Sequence, residues 1–218
     1  MKVAIQCAGK KARGAGFLAG SDGVSVHFVA RPELAPFCPD KRHARPDDPA
    51  ADGKTWRDIL RAHNLRADKS LNLLRAYELY QPAIYKKLVE KFGAGNVFIL
   101  SAGWGLVGAN FLLPAYDITF SSAGGKFSHR KQQDTYDDFS MLPDDCDDDL
   151  VFFGGKKYQP HFHRLSKNYR GNRFVFYNSI KKPDMPGCRA VKYKTKIRTL
   201  WHYKCAEAFI NGALSLPA

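Results

Sequence analysis

The sequence predicts a single α/β domain over residues 1–218, with a mainly parallel central sheet flanked by helices. Three observations carry that expectation. Short uninterrupted apolar runs, Val97-Phe98-Ile99-Leu100, Leu150-Val151-Phe152-Phe153 and Phe174-Val175-Phe176, have the length and composition of strands buried on both faces. Segments with helical periodicity stand between them. The runs then stop at small residues or lysines, at Ser101-Ala102-Gly103 and at Gly154-Gly155-Lys156-Lys157. Backbone can approach a ligand at such ends, and open α/β sheets gather ligands beyond the carboxyl ends of their strands.

In chain order, Lys2–Gln6 reads as a first strand running into Cys7-Ala8-Gly9-Lys10-Lys11. Val24–Val29 alternates and reads as a second strand, at a sheet edge. Residues 31–53 hold five prolines and read as a long loop, with Lys41-Arg42-His43-Ala44-Arg45 as a cationic finger at its middle. Thr55 and Asp58 form a capping pair that opens a helix to about His63; a second helix is expected from Asp68 to Leu79. A third begins at Pro82 and ends before Gly93, with Ile84, Leu88, Val89 and Phe92 on the face turned to the sheet. After the central strand, residues 121–131 read as a small, flexible, basic loop. Leu150–Phe153 is a further buried strand, Tyr158 to about Tyr169 a helix, and Arg173–Tyr177 a strand. The last helix starts near Thr199 and presents Trp201, Cys205, Ala208 and Phe209 on one face.

Composition narrows the function classes. The formal net charge is +13, and self-repulsion of that size is ordinarily offset by an anionic partner, with nucleic acid in front. Residues 181–204 carry eight Lys or Arg against one acidic residue, Asp184, while residues 134–149 carry eight Asp and no Lys or Arg. A basic face beside an acidic flank would orient a duplex as well as attract it. No apolar run reaches bilayer length and the N-terminus is too short for a secretion signal, so no membrane partner and a cytoplasmic location are expected. Five scattered cysteines argue against a disulfide framework.

No cofactor is expected. A Walker loop is absent, Gly14-Ala15-Gly16 lacks the third glycine of a dinucleotide fingerprint, and there is no Cys-x-x-Cys or Gly-x-Ser-x-Gly. His161 and His163 would point to different faces of a helix, which argues against zinc.

The candidate site is the strand end at Ser101–Gly105, with Tyr116-Asp117 folding back over it. Cys7, Lys10, Lys11, Ser101, Trp104, Gly105, Tyr116 and Tyr158 are the candidate substrate-binding residues. A base flipped from a duplex needs an aromatic ring to stack on, for which Trp104 or Tyr116 is suited, and polar groups to read its edge. Breaking an N-glycosidic bond builds positive charge on the deoxyribose, and Asp117 is the carboxylate placed to stabilise it. Asn178, at a strand end, has the donor and acceptor for a base edge or sugar and completes the candidate catalytic pair. Lys10 and Lys11 would hold flanking phosphates, although a lysine near the sugar carbon could instead form a Schiff base. Lys126, His129, Arg130, Lys156, Lys157, Lys181, Lys182, Lys192, Lys194 and Lys196 are the candidate DNA-binding residues. The plainer reading of the same residues makes Trp104 core, the glycines a turn, and Asp117 and Asn178 caps.

Cys7-Ala8-Gly9-Lys10-Lys11, Glu78-Leu79-Tyr80, Leu100-Ser101-Ala102-Gly103-Trp104-Gly105-Leu106-Val107, Leu113-Pro114-Ala115-Tyr116-Asp117 and Gly154-Gly155-Lys156-Lys157-Tyr158 together resemble the YaaA-like superfamily. The resemblance spans roughly residues 1–178. It departs at Trp104, where the family usually has Tyr, at Ala115, inserted before the Tyr-Asp pair, and in the Pro-rich loop. It implies a protein of nucleic acid: either a non-catalytic DNA-binding protein of the peroxide-stress branch, or a relative of bacterial antiphage DNA glycosylases. Those glycosylases remove glucosylated hydroxymethylcytosine from phage double-stranded DNA and leave abasic sites.

Overall fold

The structure is a computed structural model and describes residues 1–66 and 71–217. It is mixed α/β, built on a seven-stranded, mostly parallel sheet. Its strands are β1 (Lys2–Gln6), β6 (Val97–Ser101), β7 (Gly105–Gly108), β10 (Phe139–Ser140), β11 (Leu150–Phe153), β12 (Arg173–Tyr177) and β13 (Cys188–Lys192). They lie in the order β10-β7-β6-β1-β11-β12-β13, and the hairpin between β6 and β7 is the antiparallel step. The apolar runs behave as expected: all of β6 and β11 is buried, as is β12 apart from Tyr177.

Helices cover both faces of this sheet. Phe152 stacks on Phe162 of α4 (Gln159–Leu165) at 4.3 Å, whereas the next residue, Phe153, meets Phe209 of α5 (Trp201–Ile210) at 5.5 Å. Successive side chains of a strand point to opposite faces, so α4 and α5 lie on opposite sides. Helix α3 (Ile84–Phe92) shares the α5 side, stacking Phe92 on Phe209. Helix α5 buries Trp201, His202, Cys205 and Ala206, while Ala208 and Phe209 of the expected stripe are half-buried. Helix α1 (Trp56–Arg66) starts at the expected cap: Thr55 Oγ1 donates to Asp58 Oδ2 at 2.8 Å and accepts from the Asp58 amide at 3.2 Å.

Four expectations are corrected. The helix expected from Asp68 to Leu79 is a single turn, α2 (Ala76–Leu79), preceded by β5 (Leu74–Arg75), which pairs with β8 (Leu112–Leu113); residues 67–70 lie outside the described residues. The helix expected to reach Tyr169 stops at Leu165, where the Ser166 hydroxyl bonds back to the Phe162 carbonyl. The strand near Val24 is β3 (Ser25–Val29), and it is internal to a second sheet, not an edge. It pairs with β2 (Leu18–Ala19), with β4 (Lys41–Ala44) and with β9 (Tyr116–Asp117). Finally, Lys41–Ala44 is that fourth strand, not a finger. Arg42 and Arg45 are tied down by Asp22 and Glu33 at 2.8 and 2.7 Å, so the proline-rich stretch is a sheet edge clamped by ion pairs.

Candidate functional site

Parallel strands end together, and here β1, β6 and β11 bring their carboxyl ends to one place. Gln6 Oε1 accepts the Gly155 amide at 2.6 Å, and the Cys7 amide bonds the Leu100 carbonyl at 3.0 Å. Just beyond them Cys7 Sγ meets the Tyr158 hydroxyl at 3.4 Å. Ser101 Oγ accepts the amides of Gly103 and Trp104 at 3.3 and 3.1 Å, which leaves its proton for the Tyr116 hydroxyl at 2.9 Å. Tyr116 in turn meets the Tyr80 hydroxyl at 2.7 Å. Burial pushes the phenols of Tyr80, Tyr116 and Tyr158 well above their ordinary range, so they act as neutral donors and acceptors.

Lys11 closes this cluster from above. Its ammonium lies 4.0 Å from the centre of the Tyr116 ring and 3.4 Å from the Gly9 carbonyl. Burial lowers its pKa from the lysine value, against the opposing pull of Cys7 and Asp117. Asp117 is half-buried at the end of β9, and Oδ2 accepts a 2.6 Å bond from the Ser128 hydroxyl. An amine with a weakened hold on its proton therefore stands near a fixed carboxylate and above a row of neutral hydroxyls. That arrangement can stabilise positive charge at a reacting carbon and pass a proton to a leaving group.

The structure brings Cys7, Lys11, Ser101, Tyr116, Asp117 and Tyr158 together, and places several other candidates elsewhere. Trp104 is fully buried against Phe28, at 5.0 Å and edge-on, and cannot serve as a stacking ring for a base. Arg57 donates to its carbonyl at 3.0 Å and to that of Gly103 at 3.2 Å, with Asp47 as ion-pair partner, so the plainer reading of Trp104 as core holds. Gly105 has φ of 92°, and a Cβ there would stand 2.4 Å from the Phe139 carbonyl oxygen; it serves the turn into β7 and is closed to a ligand.

Arg130 is corrected as well. It is 1% exposed, donates to Asp138 at 2.8 and 2.7 Å and to the Ala102 carbonyl at 2.8 Å, and is therefore an internal brace and not a DNA contact. Asn178 directs its amide to the Ile197 carbonyl at 3.3 Å, two strands away from β1, and no contact joins it to Asp117 among the described residues. Lys10 is exposed beside the cluster, and His129 is half-buried, its backbone bridged to Thr119.

Lys126, Lys156, Lys157, Lys181, Lys182, Lys192, Lys194 and Lys196 are all exposed, and none has an ion pair among the described residues. The last five surround β13, three strand spacings from β1, or roughly 14 Å. Half of the acidic segment is paired within the chain: Asp134 and Asp138 hold Arg31 and Arg130 in partly or fully buried pairs, and Asp147 and Asp148 hold Arg170 and the N-terminus at the surface.

Residues that sequence reasoning passed over include Tyr80, which entered only within a motif, and Ser128, whose hydroxyl fixes Asp117. A cleft of about 670 Å³ lies at the opposite end of the sheet, lined by Lys2, Phe98, Gly108 and Phe111 among others, and gathers no cluster of ionisable groups among the described residues. Compared with family models, with curated proteins and with solved structures, the chain finds no match. No helix among the described residues is long and apolar enough to cross a membrane.

Proposed function

We propose that this chain is a DNA N-glycosylase, excising a modified base from double-stranded DNA to leave an abasic site. The observation that carries the reading is Asp117, fixed by Ser128, with Lys11 near enough to feel its charge and seated over the ring of Tyr116, whose hydroxyl joins a buried row of neutral hydroxyls. In such a reaction the C1′–N bond breaks with its electron pair leaving on the base. The carboxylate faces the positive charge that develops on the sugar, a water adds at C1′, and the base takes up a proton. Lys11, whose hold on its proton burial weakens, supplies that proton, and the water returns one to Asp117 or solvent. Exposed lysines from Lys156 to Lys196 would hold the duplex.

The resemblance to the YaaA-like superfamily sets the biological form of the proposal: glucosylated hydroxymethylcytosine in phage DNA as substrate, and antiviral defence as role. Two observations favour the second reading, a DNA-binding protein without catalysis. Burial of Trp104 removes a stacking ring, and the Tyr116 ring is covered by Lys11. Incubating the purified chain with glucosylated phage DNA and with unmodified DNA, then counting aldehyde-reactive abasic sites, tests the two. Sites that accumulate only in the modified DNA support the glycosylase. Tight binding with no abasic sites in either DNA overturns it in favour of the binding protein.

A further inference from the structure

Register places a second group of ionisable side chains beside the first. In the small sheet His27 is aligned with His43, Ser25 with Lys41, and Val29 with Asp117. Aligned residues of paired strands share a face, and alternation along each strand puts His27, Lys41, His43 and Asp117 all on one side. The other side, Val26, Phe28, Ala44 and Tyr116, is core. The two imidazole rings are 5.6 Å apart, with Phe17 edge-on to His27 at 6.2 Å and Lys41 over Phe17 at 5.9 Å.

This face is unbalanced. His27 senses His43, Lys41 and Lys11 as positive neighbours and Asp117 as the opposing carboxylate, whose Oδ2 is already held by Ser128. Neither imidazole makes a hydrogen bond, and Lys41 has no ion pair, among the described residues. The alternate residues of the same strand are treated differently: Arg42, one position along, is paired with Asp22 at 2.8 Å. No three His, Cys, Asp or Glu side chains among the described residues form a metal-holding group, so the two histidines and Asp117 do not converge on a common point as cation ligands.

We propose that the face formed by His27, Lys41 and His43, beside Lys11, binds a phosphoryl group. Two imidazole rings 5.6 Å apart are close enough for both to donate N–H bonds to one tetrahedral anion, and the lysines supply charge. The group comes either from a nucleic-acid backbone or from a free phosphate or nucleotide, and the chemistry of recognition is shared. Glycosidic chemistry is not required for it. In a glycosylase this face would grip the phosphate next to the flipped nucleotide; without catalysis it would remain an anion site.

Burial and the neighbouring positive charges hold the His27 pKa below its usual value, so an anion that stabilises the imidazolium must raise it and must bind more tightly at low pH. Long-range nitrogen–proton NMR of the full chain follows both imidazoles through a pH titration in sodium chloride, in inorganic phosphate and in a thymidine dinucleotide, at matched ionic strength. The diester charge of the dinucleotide is constant over this range, so its pH dependence reports the protein. The expected results are upward pKa shifts of His27 and His43, and dinucleotide affinity roughly tenfold weaker at about pH 8 than at about pH 5.5. Shifts with inorganic phosphate alone assign the face to free phosphate or nucleotide; shifts with the dinucleotide assign it to nucleic-acid backbone. H27Q/H43Q should flatten the pH dependence, while K41Q should weaken binding and keep it. Imidazole pKa values that move no further than in chloride, or a folded H27Q/H43Q variant with wild-type pH dependence, overturn the subsite whether or not the chain excises bases.

Discussion

The Ser128 hydroxyl donates a 2.6 Å hydrogen bond to Asp117, joining the end of β9 to a loop eleven residues further on. The loop itself is pinned, because the Thr119 amide bonds the Ser128 carbonyl at 2.9 Å and the Arg130 amide bonds the Thr119 carbonyl at 2.9 Å. A carboxylate held in this way keeps one orientation while charge develops near it. Asp117→Asn preserves shape and removes the charge, so excision is expected to fall at least about a hundredfold while DNA affinity changes by less than about twofold. Ser128→Ala leaves the charge and loses the orientation, and is expected to cost about tenfold. Abasic-site counts, DNA affinity and melting temperature on the same preparations check this. Full excision by a well-folded Asp117→Asn protein would remove Asp117 from the chemistry.

The exposed lysines around β13 make a separate prediction. Every lysine–phosphate pair that is removed should reduce the slope of log affinity against log salt by roughly 0.9, so Lys192→Gln, Lys194→Gln and Lys196→Gln together should flatten it by roughly 2 to 3. Binding isotherms at several salt concentrations measure the slope. An unchanged slope would place the DNA face elsewhere.

Arg57 is 2% exposed and serves two backbone carbonyls and the Asp47 carboxylate. Arg57→Leu would strip the Gly103 carbonyl of its donor and the Asp47 carboxylate of its cation, while the Trp104 carbonyl keeps the Phe139 amide, and is expected to destabilise the fold by about 3–5 kcal/mol. Urea unfolding should show this as a lowered midpoint. A variant within about 1 kcal/mol of wild type would mean that water reaches these groups.

His202 is 3% exposed in α5, and burial lowers its pKa to about 4. The unfolded chain, with an ordinary imidazole, then binds more protons between about pH 6.5 and 4, so stability is full above that window and falls as pH falls through it. The loss attributable to this residue is on the order of 3 kcal/mol. His202→Leu should flatten the acid limb of a stability–pH curve, and an unaltered limb would show that His202 does not control it.

The large elements were legible because their signal is local. Val97–Leu100 and Leu150–Phe153 are continuous apolar runs, and the Thr55–Asp58 cap is a pair three residues apart. The small sheet was not legible, since β2 and β9 are two residues each and form only because β3 offers them a partner distant in sequence. The same holds for the site. Asp117 and Lys11 stood out as charges beside strand ends, but their relation runs through Tyr116 and Ser128, neighbours no spacing rule reveals. Arg130 misled because a basic loop looks solvent-facing, whereas its partner Asp138 lies eight residues on and takes it inward.

Strand β13 ends the large sheet with one side unpaired, and its backbone offers the open row of donors and acceptors on which another chain could build. Arg189 and Lys192 stand on that strand, with Lys194 and Lys196 just after it. Repulsion between these cations on two copies opposes the adding of strand to strand, so the surface proposed to attract a polyanion would also guard the protein against self-association. Replacing these lysines by glutamine removes both effects together, and the neutralised chain should be the more prone to aggregate at high concentration and low salt, the difference from wild type shrinking as salt screens the repulsion.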